Sequence, residues 1–220
     1  MMKRTLIRKI VLFYLILIQS LKSQDFEDTI QMEFTYKDIN TIVELHNRLR
    51  RHVASGKESR GSPGPQPKSA YMPDLVWDDG LANAAWRWVQ NCQFYHDPSL
   101  QAMQMGQNIA ITVSSKRSTT PNWADAAIHP WYAEVEHMDC RHVTKFKSFE
   151  AANRQIIRHF TQLVWAGTKA VGCAAIGYTN YATPGTPFRV MYVCNYSPPG
   201  NIIGQPVYEV DSSSPSCREE

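Results

Sequence analysis

The sequence contains no HExxH, no GxSxG, no CxxC and no C-x-x-C-H. Each of these absences removes a chemistry that announces itself locally. They exclude a zincin metalloprotease, a nucleophile-elbow hydrolase, a redox dithiol and a zinc knuckle in turn. A Ser-His-Asp arrangement cannot be drawn from one sequence, because its members meet only in the fold. The spacing Glu134-x-x-His137 occurs once, whereas a carboxylate di-metal bundle needs it twice. There is no internal repeat, no low-complexity block and no clustered Lys/Arg face able to neutralise phosphates, so nucleic acid is not an expected partner.

Long hydrophobic runs are also missing. The N-terminal apolar stretch, IVLFYLILI at residues 10–18, has nine residues. A bilayer-spanning helix needs about 20. The stretch follows basic MMKRTLIRK and precedes polar QSLKS, the order of a secretory signal over residues 1–23, with cleavage expected near Ser23. An uncleaved membrane anchor is the alternative, and the short run argues against it. Removing Lys3, Arg4, Arg8, Lys9 and Lys22 takes the formal charge from +3 to −2. The basicity of the full chain therefore belongs to the export signal.

What is present suits one globular domain. The chain has 220 residues, 43% hydrophobic and 20% charged, enough to bury a full core. All five cysteines, Cys92, Cys140, Cys173, Cys194 and Cys217, follow the signal. Export favours disulfides, and an odd count leaves one thiol over. Cys217 lies in polar DSSSPSCREE, with nothing to bury, and is the expected odd one out.

Ile39, Ile42, Val43, His46, Leu49 and Val53 recur at three- and four-residue steps, which predicts an amphipathic helix from Tyr36 to Val53. His46 reads there as a packed core residue. The Gly-, Pro- and Ser-rich segment 55–73 reads as a mobile loop. A second helix begins at Asp78 or Asp79 as cap, with Leu81, Ala84, Ala85, Trp88 and Cys92 as its buried stripe. His96 falls four residues past Cys92, so the two are expected to share a face. The segment AAIHPWYAEVEHMD reads as helical, with Pro130 at a start or a kink, and NRQIIRHFTQLVW as a further helix or half-buried segment. VGCAAIGY and PFRVMYVCNY, rich in β-branched and aromatic residues around a turn, predict a β-hairpin on which Cys173 and Cys194 can face each other. Helices first and strands last give an α+β layered domain.

RHFTQLVWAGT and MYVCNYSPPGNI resemble the two signatures of the CAP family, the cysteine-rich secretory, antigen 5 and pathogenesis-related 1 proteins. WDDGLANAAWRW, NCQFYH, GQNIA and WYAEVE resemble the intervening blocks, in order. The resemblance covers residues 36–205, leaving 24–35 as an N-terminal extension and 206–220 as a polar tail. It looks nearest to invertebrate antigen 5 or venom-allergen-like members, although the early cysteine pairs of insect antigen 5 and the cysteine-rich C-terminal module of vertebrate members are missing. The resemblance implies a three-layer α-β-α sandwich with a twisted, mainly antiparallel sheet.

It also implies a central cleft. His96 matches the first family histidine, His159 the second and Glu134 one acid, while Gln107 stands where a second acid is usual. His96 and His159 are thereby candidate ligands of a weakly bound Zn²⁺, weakened further by the charge missing at Gln107. Glu134 is the candidate base if the cleft is catalytic. The bland alternative is a satisfied polar network tying helices to sheet. Cys173–Cys194 is expected to close the hairpin and Cys92–Cys140 to pair helix to helix. A Cys140–Cys217 bridge would contradict the second assignment. His129, His137 and His142 read as exposed or loop residues. Asn195 satisfies the glycosylation sequon inside a strand and is expected to go unused.

Two functions follow from the resemblance. One is an exported, non-enzymatic binding protein for sterol or fatty acid, or for a host or tissue protein. Trp123, Trp131 and Phe149 then offer apolar contacts, unless they are ordinary core. The alternative is a metal-assisted hydrolase at His96, Glu134 and His159.

Overall fold

The computed structural model describes residues 28–147, 156–214 and 217. The signal segment and Phe149 lie outside the described residues. Among the described residues no helix is long and apolar enough to cross a membrane.

Helix α1, Tyr36–Ala54, forms where the periodicity placed it. Thr35 and Asp38 cap it reciprocally: the Thr35 hydroxyl accepts from the Asp38 N–H, and the Asp38 carboxylate accepts from the Thr35 N–H. Its buried stripe is Ile42, Leu45, His46, Asn47, Arg50 and Val53. Helix α2, Asp79–Val89, starts at an Asp78 cap that accepts from the Leu81 N–H. It ends earlier than the sequence pattern suggests. Cys92 lies beyond it with φ at +52°, so Cys92 and His96 do not share a helical face.

The sheet combines strands β1 (Ile30–Gln31), β2 (Val76–Trp77), β3 (Gly106–Ser114), β4 (Ala170–Thr179) and β5 (Phe188–Ser197). The order β1-β4-β5-β3 is antiparallel throughout, and β2 adds to β4 in parallel. On β5 the side chains alternate. Met191 and Val193 join a core with α2, while Tyr192, Cys194 and Tyr196 join a larger core on the other face. That second layer holds α1, the π-turn at Ala124–Ile128, helix α4 (His129–Ala133) and helix α5 (Arg158–Leu163). A short helix α3, Leu100–Met103, precedes β3. The result is the expected three-layer α-β-α sandwich.

Helix α2 lies against the sheet at Gly172, where an added Cβ would come within 2.3 Å of the Ala82 nitrogen and 2.4 Å of the Asp78 carbonyl oxygen. Only glycine permits this approach.

Arg50 is fully buried. Its Nε and Nη2 donate to the Pro73 carbonyl, Nη1 to Leu163 and Trp165, and Nη2 also to Thr168, at 2.8–3.4 Å. The planar fork thus ties α1 to the loop before β2 and to carbonyls at and just beyond the end of α5.

Three expectations are corrected. Cys140 pairs with Cys217, not with Cys92, which is a buried free thiol. Cys92 sits on the α2 face of the sheet, whereas Cys140 belongs to the opposite layer, so the sheet separates them. The residues after 205 are not a loose tail: Val207 and Tyr208 are buried, Val210 bridges Ser69, and the Tyr208 hydroxyl donates to the Pro67 carbonyl. Loop 55–73 is correspondingly packed, with Glu58, Gln66 and Ser69 buried. Burial alone would raise the Glu58 carboxyl, but bonds from Arg60 and Tyr132 outweigh it and hold the group at about 2. Cys173–Cys194 closes the hairpin across directly opposed strand positions.

Candidate functional site

The two family-type histidines reach the site from opposite faces of the sheet. His96 comes from the loop between α2 and α3. Its Nδ1 lies 3.0 Å from the Gln107 amide oxygen, which also accepts from the Asp97 N–H at 3.1 Å. The Gln107 amide nitrogen donates to the Asn195 side-chain oxygen at 3.0 Å, and the Asn195 amide nitrogen donates to the Leu81 carbonyl at 3.3 Å. Desolvation by the surrounding protein holds His96 below its ordinary pKa, with a further push from the nearby Arg158 guanidinium, despite the opposing bond with Gln107. The loop's outer side is exposed, Phe94 and Tyr95 included.

His159 is the second residue of α5. Glu134, on the 3₁₀ turn that follows α4, faces it. One Glu134 oxygen accepts from His159 Nδ1 at 2.6 Å, and the other accepts from the His159 and Phe160 N–H groups at 2.9 and 3.2 Å. The imidazole stacks on Trp131, whose indole N–H donates to the Ile109 carbonyl. Glu134 therefore orients His159 and terminates two orphan N–H groups at the start of α5.

Asn108 ties the site to the core. Its amide nitrogen donates to the His159 carbonyl at 3.1 Å and to the Tyr196 hydroxyl at 3.3 Å. The Tyr196 hydroxyl donates to His46 Nε2 at 3.0 Å, and His46 Nδ1 donates to the Ile42 carbonyl at 2.7 Å. Burial pushes the His46 imidazole down to about 4 and pushes the Tyr196 phenol up. His46 is the core residue its helix position suggested.

The structure thus joins His96 to Gln107 and His159 to Glu134. Trp123 and Trp131 are ordinary core, each 2% exposed. Of the histidines expected to be exposed or on loops, only His129, at the start of α4, is exposed; His137 and His142 are half-buried on the two 3₁₀ turns. Asn195 is buried and hydrogen-bonded at both ends of its amide, so its sequon is inaccessible in the folded protein. Asn108, Asn195 and Tyr196 are parts of the site that sequence reading did not single out. The available signal was register: Gln107 sits opposite Asn195 and Asn108 opposite Cys194. Among the described residues Asp139, Cys140 and Cys217 also converge, but the two sulfurs are bonded to each other and the carboxylate is held by Arg141.

The donor set fits a transition metal in one respect. Both Nδ1 atoms are engaged inward, which leaves both Nε2 atoms as the ligand positions, without a spare carboxylate. Such a set suits zinc better than calcium or magnesium.

An α-β-α sandwich carrying histidines braced by a carboxylate and an amide defines a disulfide-stapled domain of the cysteine-rich secretory class. The cysteine-rich secretory protein family (CAP) model matches residues 43–196, and the chain belongs to that family. It is 43% identical to venom allergen 3 of Solenopsis invicta over 180 residues, 80% of this chain and 74% of that protein. It is also 43% identical to a venom allergen 3 homolog of Dinoponera quadriceps over 172 residues, 77% and 71% of the two chains. Among solved structures, BmVAL-1 aligns with a TM-score of 0.68 at 25% identity, over 82% of this chain and 85% of that one. NaASP2, solved with Zn²⁺, aligns with a TM-score of 0.65 at 25% identity, over 80% and 87%. Na-ASP-1 aligns with a TM-score of 0.65 at 28% identity over 78% of this chain, which spans 41% of the Na-ASP-1 chain.

Proposed function

We propose that this chain is an exported, non-enzymatic binding protein whose His96/His159 cleft holds a divalent transition metal, Zn²⁺ above all, weakly. The observation that carries this reading is the engagement of Glu134. Its oxygens already accept from His159 Nδ1 and from the His159 and Phe160 N–H groups. It is a strut for His159 rather than a base free to take a proton from water. Bound zinc would act as a Lewis acid towards an incoming donor. The chain's own part is to hold two imidazoles in one orientation, His96 through Gln107 and His159 through Glu134.

Zinc titration by calorimetry tests the reading. Wild type is expected to bind and the His96→Ala/His159→Ala double variant to lose most of that affinity; equal affinities would remove these ligands. Metal-dependent peptide cleavage that disappears in Glu134→Gln would instead restore the hydrolase reading.

Carriage of sterol or fatty acid has its own support. A surface groove of about 600 Å³ is lined by Tyr71, Pro73, Val76, Ala166 and Gly167 together with the charged Asp74, Lys169 and Glu209, and Tyr71 and Val76 are exposed. Native mass spectrometry of protein secreted from eukaryotic cells tests it by the presence or absence of a co-purifying lipid mass. Exposed Phe94 and Tyr95 beside His96 support a host or tissue protein partner at the cleft rim.

A further inference from the structure

We propose that Asn195 is a positioning residue: through Gln107 it fixes His96 as the Nδ1–H tautomer and turns the Nε2 lone pair outward. The cleft reading above gives this its consequence, but the tautomer is measured without any ligand.

The proposal comes from the two ends of one hydrogen-bond chain. An amide side chain can face either way, and an imidazole can carry its proton on either nitrogen. A carbonyl oxygen only accepts and a backbone N–H only donates. At one end stands the Leu81 carbonyl, 3.3 Å from the Asn195 amide nitrogen. Asn195 must therefore donate to it, which turns its own oxygen towards Gln107. The Gln107 amide nitrogen donates to that oxygen at 3.0 Å. The Gln107 oxygen is then left facing the cleft loop, where the Asp97 N–H donates to it at 3.1 Å. Both ends enforce the same sense. The remaining partner of that oxygen, His96 Nδ1 at 3.0 Å, must be a donor.

Asn195 reaches Leu81 only because α2 sits directly on the sheet at Gly172, the residue opposite Asn195 on β4. Asn195 is 1% exposed and Gln107 8% exposed, so bulk water does not compete with either bond. An unmatched amide there would leave a buried polar atom unpaired, which resists a flip. Asn195 touches neither the cleft nor any ligand position. Its effect is transmitted through Gln107 alone.

The test is nitrogen-15 NMR of the imidazoles, run metal-free at a pH of about 8, above the ordinary histidine range. In wild type, His96 is expected to show a protonated Nδ1 and an unprotonated Nε2. A wild-type His96 with its proton on Nε2 overturns the proposal outright, whatever the variants do. In Asn195→Leu, the Gln107 amide loses its acceptor, and the Nε2–H population of His96 is expected to rise several-fold, so that its two nitrogen shifts converge. His159 keeps its Glu134 partner and is expected to keep its wild-type shifts, which reports that the fold and the opposite side of the site are intact. Unchanged His96 shifts beside unchanged His159 shifts overturn the role of Asn195. Should Asn195→Leu fail to fold, Gln107→Leu removes the His96 acceptor directly, and the wild-type spectrum still decides the tautomer. Failure of zinc to bind would leave these shifts as they are, so the two readings fall separately.

Discussion

Gln107 and Asn108 are neighbours on β3 that serve opposite faces of the sheet: Gln107 accepts from His96 on the α2 side, and the Asn108 amide donates to the His159 carbonyl on the other. Successive strand residues point to opposite faces. One dipeptide can therefore brace two histidines carried by different layers, and a displacement of β3 moves both.

Charge at this dipeptide sets cation affinity. Gln107→Glu places a carboxylate behind His96, raising the basicity of its Nε2 and adding attraction. Zinc affinity is expected to rise by about tenfold, the lower end of effects from such supporting groups. Calorimetry alongside wild type measures it, and no gain would mean that the amide is not what limits binding.

His46 gives the protein an acid-sensitive core. Its pKa is about 4 when folded, against an ordinary value of 6.5. Between those values the unfolded chain binds a proton that the folded chain refuses, so stability falls as pH drops through that window and rises as pH increases. The full effect is on the order of 3 kcal/mol. Urea unfolding at steps from pH 7 to pH 4 is expected to show this loss in wild type and a shallower slope in His46→Gln. Parallel slopes would place the acid sensitivity elsewhere.

Arg50 is the hub between α1 and α5. Replacing it with Met takes the guanidinium donors from the carbonyls of Pro73, Leu163 and Thr168 and leaves the Trp165 carbonyl with only the Thr168 N–H. The expected loss is on the order of 3–5 kcal/mol, as for other broken buried charge networks. Arg50→Lys recovers only part, because an ammonium cannot reproduce the planar fork. Midpoints of chemical unfolding for the two variants check the order.

The cysteines can be read directly. Non-reducing peptide maps are expected to show Cys140–Cys217 and Cys173–Cys194, with Cys92 alkylated only after denaturation. Burial raises the Cys92 thiol to about 11, so it also reacts slowly at neutral pH. A Cys92 adduct formed on the folded protein would contradict its burial. Loss of the Cys140–Cys217 bridge, which closes 77 residues, is expected to cost about 4 kcal/mol by loop-closure arguments.

Much of this architecture was legible in the chain because it rests on local pattern. The period of α1, the cap at Asp78 and the hairpin alternation each show in consecutive residues. The candidate site was partly legible for a different reason, since His96, Glu134 and His159 sit in motif-like blocks. What stayed hidden depends on layer and register. Cys92 and Cys140 look like partners until the sheet is seen between them. Cys217 looks stranded until Val207 and Tyr208 are found docked on the loop around Pro67. Asn195 reads as a sequon, and only its position opposite Gln107 reveals the relay.

The hydrogen bonds of α1 also set a timetable for synthesis. His46 needs the Tyr196 hydroxyl, and Arg50 needs carbonyls from Leu163 to Thr168. Those groups are translated more than 100 residues after the helix itself. During synthesis α1 therefore precedes the groups that complete its buried face: the carbonyls that Arg50 meets follow with α5 and the turn after it, and the Tyr196 hydroxyl that His46 meets arrives only with β5.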